Sequence, residues 1–206
     1  MNYRTGKPNF SDTLFSVSNL IKTFNFLRIN KTFGKHINSS IYAVAAGYNS
    51  KTESGVIYIT GTYGFFIQFL YDFFEFPFDI YYQNGKAQSG KDVSAFAFGL
   101  NPRVKLGSVK LGMGADYLSG DDAGSSNYLS EERTFNKFYG SGFRYHGWMN
   151  HYVYIKGSTK NGGLVDLYPT LAWKISPHHI LDMKTHFFSL ANSVMIDDHI
   201  IDDKDL

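Results

Sequence analysis

Alternation of apolar and polar residues with a period of two, repeated in segment after segment, is the feature that most restricts what this chain folds into. Successive side chains of a strand point to opposite faces, so strict alternation marks a sheet with one apolar and one polar face. In SVKLGMGADYL, Val109, Leu111, Met113, Ala115 and Tyr117 share one face, opposed to Lys110, Gly112, Gly114 and Asp116. LVDLYPTLAWKI sets Val165, Leu167, Pro169, Leu171, Trp173 and Ile175 against Asp166, Tyr168, Thr170 and Lys174. HILDMKTHFFSL sets Leu181, Met183 and Phe187 against Asp182, Lys184 and His186. From Phe96 onward, Phe96, Phe98, Leu100, Val104 and Leu106 oppose Ala97, Gly99, Asn101, Arg103 and Lys105. Each segment is about as long as the roughly 9–11 residues with which a tilted strand crosses a bilayer.

Less regular strands are expected over Leu20 to Lys31, His36 to Tyr48, Gly55 to Leu70 with a bend at Gly61 or Gly64, Phe76 to Lys86, and Trp148 to Lys156, roughly nine in all. Short turns fall at TFGKH, KISPHH and around Pro102, and longer polar loops at QNGKAQSGKD and from Ser119 to about Tyr145. Short turns at one end and long loops at the other are the plan of outer-membrane barrels. The sequence divides into an N-terminal extension over 1–19, strands over 20–190, and an acidic loop or truncated tail over 191–206. A soluble β-sandwich, as a carbohydrate-binding module, alternates in the same way. That rival requires Phe96, Phe98, Leu111 and Trp173 to be buried.

Composition narrows the choice. Aromatics make up 17% of the 206 residues, with 19 Phe and 15 Tyr, and Tyr42, Tyr48, Tyr82, Tyr117, Trp148 and Trp173 lie near expected strand ends, where an interfacial girdle places rings. No run reaches about 18 apolar residues; GFFIQFLYDFFEFPF is interrupted by Asp72, Glu75 and Pro77, so no spanning helix is expected. Cysteine is absent, which excludes disulfides and thiolate metal sites. A net charge of +2 without a basic tract argues against nucleic acid as a partner. The start, MNYRTGKPNFSDTLFSVSNL, lacks the basic and apolar regions of a secretory signal, so an exported chain of this kind is expected to be a fragment.

Across GADYLSGDD, TFNKFYGSGFRYHGWMNHYV, GLVDLYPTLAWKIS and HFFSLA the sequence resembles the alginate-export-like family of outer-membrane β-barrels. Tyr117, Leu118, Ser119, Gly120, Asp121 and Asp122 match the family pattern outright, as do Phe135, Tyr139 and Gly140. Tyr145, Gly147 and Met149 are kept, whereas Phe143 and Arg144 stand where the pattern has His-Lys. The resemblance implies an antiparallel up-and-down transmembrane barrel in the outer membrane, porin-like, with lipid around it, further strands on both sides, and passive transfer of solutes such as uronate-containing oligosaccharide or alginate. It leaves the oligomeric state open.

The polar strand faces are the candidate solute contacts, since in a barrel they line the lumen. Lys22, Arg28, Arg103, Lys105, Lys110, Lys174 and Lys184 outnumber Asp79, Asp116, Asp166 and Asp182 there. Such a surplus favours anions, unless the charges form a cross-strand ladder that neutralises the interior. Asp121 and Asp122 suit a turn better than a calcium loop, whose Asp/Asn spacing is missing. His146 and His151 sit at odd spacing on opposite strand faces, and His178 and His179 flank a Pro177 turn, so no metal site is expected. No phosphate loop, nucleophile elbow or cofactor motif is present, and Ser189 and His186, the pair a barrel lipase would need, also fall on opposite faces. Catalysis is not expected, and a non-functional barrel fragment is the remaining alternative.

Overall fold

The computed structural model describes residues 21–137, 152 and 154–201. Strands dominate them: β1 (Ile21–Phe33), β2 (Ile37–Asn49), β3 (Ile57–Leu70), β4 (Phe74–Lys86), β5 (Asp92–Leu100), β6 (Arg103–Leu106), β7 (Val109–Leu118), β8 (Glu131–Glu132), β9 (Leu164–Ser176), β10 (His179–Lys184), β11 (Phe187–Ser189), β12 (Val194–Ile196) and β13 (His199–Ile201). One helical turn, α1 (Ile155–Ser158), precedes β9. Among the described residues no helix is long and apolar enough to cross a membrane.

The protein is all-β, built on one large sheet in the order β1-β2-β3-β4-β5-β7-β9-β10, each strand antiparallel to its neighbour. Among the described residues the sheet is open, with β1 and β10 at its edges. Asn101 and Pro102 interrupt the β5 direction, and β6 carries it on between β4 and β7. Pro102 has no N–H to give a ladder, which explains the break where the sequence shows it. β11 continues β10 past Thr185 and His186, pairing with β9. β3 runs unbroken past Gly61 and Gly64. Within the strand expected over Trp148 to Lys156, the described Ile155 and Lys156 are helical instead. Ile155 is buried against the sheet, and this burial turns the segment inward.

The meander puts tight turns at residues 34–36, 71–73, 107–108 and 177–178 at one end, and longer connections at 50–56, 87–91 and 119–163 at the other. β12 and β13 form a separate hairpin whose turn residues, Asp197 and Asp198, both have positive φ. That is the backbone of a two-residue turn matched to the strand twist, so the acidic segment expected as a loop holds a hairpin.

Register sorts the side chains onto two faces. One carries Leu111, Met113, Leu167, Trp173, Leu181, Phe187, Phe96 and Ile80, all exposed. Phe96, Leu111 and Trp173, which a sandwich would bury, are 44%, 45% and 43% exposed, and Phe98 is half-buried against Tyr117. Apart from the three-residue strands of the β12–β13 hairpin, the described residues contain no second sheet to cover this face. The other face carries the polar parity of the strands, and Phe135, Tyr152 and Ile155 from the chain between β7 and β9 pack onto it.

Candidate functional site

The loop-covered face is organised in rows, one residue from each strand. The central row runs Asn30, Ser40, Phe66, Asp79, Gly99, Asp116, Asp166 and Phe188 across β1, β2, β3, β4, β5, β7, β9 and β11. Three carboxylates therefore lie side by side with one glycine among them. A Cβ at Gly99 would stand 2.8 Å from Asp116 Oδ1 and 3.2 Å from Asp79 Oδ1, so both carboxylates lean over the space that Gly99 leaves. Asp166 is fully buried, and His186 Nδ1 is 3.0 Å from each of its oxygens. His186 stacks between Tyr168 and Phe188, at 4.9 and 5.5 Å between ring centroids. Tyr168 lies beside Asp116 and Asn101.

Nearer the tight turns the face becomes basic. Glu75, Arg103, Gly112 and Thr170 share a row, and Glu75 forms ion pairs with both Arg103 and Lys110. Lys105 lies directly opposite Lys110, a like-charge pair set in the next row with Ala172 and Asp182. Lys184 faces Thr170 and Lys174 faces Ile180 on the same parity. Arg28 lies over the Tyr42 ring at 5.4 Å, in a row continued by Gly64, Tyr81 and Ala97. Lys22 sits at the β1 irregularity, its ammonium enclosed without a hydrogen-bond partner among the described residues. The charge pattern is therefore neither a uniform basic lining nor a complete ladder. Glu75 neutralises part of a basic collar, and the aspartates gather in a separate band.

Tyr117 to Asp122 form the root of the covering chain. The Tyr117 ring lies on the open face against Phe96 and Phe98, and Leu118 is buried on the other. Ser119 Oγ accepts from Phe96 N–H and donates to the Arg133 carbonyl. Asp121 Oδ1 accepts from the Arg133 and Thr134 amides, and Asp122 Oδ1 accepts from Gly124 N–H and Ser193 Oγ. Gly120 is pressed against the backbone of Gly162 and Gly163, where any Cβ would overlap. The motif is a clasp that ties the two ends of the loop together. Its carboxylates are committed to hydrogen-bond donors, as turn chemistry requires.

From that clasp the chain descends onto the sheet. Phe135, Tyr152 and Ile155 are buried over Ala95, Ala97, Leu118 and Leu164, the small alanines of β5 making room for the rings. Gln83, 1% exposed, holds the same stretch: its amide donates to the Asn136 carbonyl and its Oε1 accepts from Asn136 N–H, at 2.8 and 2.9 Å. Lys137 then faces Asp116 and donates to the Tyr152 carbonyl at 3.3 Å. Burial holds its pKa down at about 8, against the opposing pull of Asp116.

Glu75, Gln83, Asn136 and Lys137 are the site residues that sequence reasoning missed. Glu75 stood just outside the expected strand, and Gln83 carries the right parity without a charge to flag it. Nothing local distinguishes Asn136 or Lys137. His146 and His151 lie outside the described residues. His178 and His179 are exposed in the β9–β10 turn, where Ser176 Oγ bonds to His179 Nδ1 and to the His178 amide. Ser189 pairs with Val165, on the parity opposite to His186 and Asp166.

No protein-family model, curated protein or solved structure matches this chain.

Proposed function

We propose that the sheet is part of the wall of an outer-membrane β-barrel through which small polar solutes pass passively, its open face toward lipid and its loop-covered face toward a water-filled lumen. One observation carries this reading: the apolar parity is the exposed one on strand after strand, while carboxylates, ammonium groups and the folded loop occupy the other. A water-soluble sheet buries its apolar face, and a contiguous exposed apolar surface of this extent marks contact with membrane or protein. Strands with apolar residues outward and polar residues inward are what lipid selects. An open edge is not tolerated in hydrocarbon, so the edges at β1 and β10 are expected to be paired when the protein is inserted.

In this reading a solute from the long-loop end first meets the chain anchored by Gln83, then the row of Asp79, Asp116 and Asp166, then the collar of Arg103, Lys105, Lys110 and Lys174. Anionic solutes, uronate-containing oligosaccharide among them, are favoured by the collar and opposed by the aspartates. The test is reconstitution into a planar bilayer with a salt gradient across it. Stepwise ohmic conductance is expected, with a reversal potential that moves toward cation exclusion when Asp116 and Asp166 are both changed to Asn. Purified protein that stays dispersed without detergent and never conducts would defeat the proposal.

A further inference from the structure

A cavity of about 320 Å³ lies between the covering chain and the wall at the long-loop end, lined among others by Tyr48, Thr60, Gln83, Glu132, Asn136 and Lys156. It is separate from the aspartate row and the basic collar. Its volume is at the low end of the roughly 300–1,000 Å³ typical of small-molecule sites. The floor is fixed, because Gln83 is clamped to Asn136 and Thr62, and Thr60 donates to the Lys86 carbonyl. Glu132 and Lys156 form an ion pair at one side.

Around that floor, hydrogen-bonding capacity is left over. Gln88, Asn136, Lys51 and Tyr154 line the cavity from four separate segments, and none of their side chains has a hydrogen-bond partner among the described residues. Two side-chain amides bring donors and acceptors in equal number, and Tyr48 and Tyr154 add aromatic rings to the lining. The charge is close to balanced, with one carboxylate already paired and one cation at the rim. A divalent cation would want several free carboxylates, and a phosphate would want clustered cations. Mixed neutral donors and acceptors beside aromatic rings suit a ligand dense in hydroxyl groups with apolar C–H faces.

We infer that this cavity is a binding site for a neutral saccharide of one or two rings, held by Gln88 and Asn136 at the entrance to the proposed lumen. The inference rests on the loop-covered face being open to water, as the pore reading has it. The test uses the full chain refolded in detergent, with saturation-transfer difference NMR on glucose and maltose, and with glucuronate and inorganic phosphate as charged comparators. Saturable signals from the neutral sugars are expected. Replacing both Gln88 and Asn136 by Ala should raise the dissociation constant about five-fold or more, as loss of two neutral hydrogen bonds implies. The clamp uses only the backbone of Asn136, so the double variant keeps the loop docked, which slow exchange of the Asn136 amide verifies.

No saturable sugar signal from protein with a protected Asn136 amide overturns the inference. So does unchanged binding in the double variant, or a preference for phosphate at the same residues. A protein that binds sugar yet does not conduct would leave this site standing and remove the pore.

Discussion

Replacing Gln83 by Met isolates what holds the covering chain to the wall. Methionine keeps the length and most of the volume of the side chain but removes both the amide donor and the amide acceptor, so the packing of Phe135 and Ile155 is unchanged while the Asn136 N–H and carbonyl lose their partners. Leaving a buried donor or acceptor unsatisfied costs about 1–3 kcal/mol each. Water reaching the nearby cavity recovers part of this, so the docked state is expected to weaken by about 2–4 kcal/mol, a roughly 30- to 1,000-fold rise in the population of the released loop. The readout is hydrogen exchange at the Asn136 amide in detergent-refolded protein, with strand amides of β2 as the internal reference. Exchange at Asn136 should accelerate by about that factor while β2 is unaffected. An Asn136 amide that exchanges within about three-fold of the parent would refute the clamp and leave the docking to apolar burial alone.

Three further outcomes are expected. Lys137 is held at about pH 8 when docked against an ordinary 10.5, so between those values the released loop binds more protons than the docked one, and docking strengthens as pH rises through that window. Protease protection of the 119–137 stretch should therefore increase from about pH 8 to pH 10, and Lys137→Met should flatten the profile. Gly114→Ala would drive a methyl group into the buried Tyr168 ring, 2.1 Å from the added carbon, and displace it from His186 and Asp116. A loss of about 1–3 kcal/mol in chemical denaturation is expected, and a neutral result would mean that the ring moves freely. With Trp148 changed to Phe, Trp173 is the remaining tryptophan, and its fluorescence should be quenched by lipids brominated on the acyl chain more than by aqueous iodide.

The large sheet was legible because alternation is a local property. Val109 to Tyr117 and Val165 to Ile175 state their parity without reference to any neighbour, and every basic residue assigned to the polar faces of β6, β7, β9 and β10 lies there. What was not legible depends on register. That Asp79, Asp116 and Asp166 share one row follows only once β4, β5, β7 and β9 are aligned, and that both carboxylates lean over Gly99 follows only from side-chain placement. Which charges meet across the strands follows from the same alignment. Glu75 serves two cations, while Lys105 and Lys110 meet as like charges. The SGDD segment was conspicuous in the sequence, but its role as a clasp needed Arg133, Thr134 and Ser193, residues more than ten positions away.

Met113 offers the sharpest separation between a lipid-facing wall and an unusually apolar soluble surface. It lies midway along β7 opposite Pro169, 63% exposed, with Leu111 and Ala115 on the same parity. On a water-exposed surface, Met113→Lys removes no buried contact and should alter stability by no more than about 0.5 kcal/mol in either direction. In a bilayer the same ammonium group faces hydrocarbon near the midplane, at a cost of about 2–4 kcal/mol. Lys110→Met, three residues away on the loop-covered face, should do the reverse. It costs nothing in lipid but leaves Glu75 with Arg103 as its remaining ion-pair partner. Folding yield into vesicles, measured for both variants against the same variants in detergent micelles, distinguishes the two surfaces. A Met113→Lys protein that inserts as readily as the parent would place this face in water, and the exposed apolar band would then require a protein partner rather than a membrane.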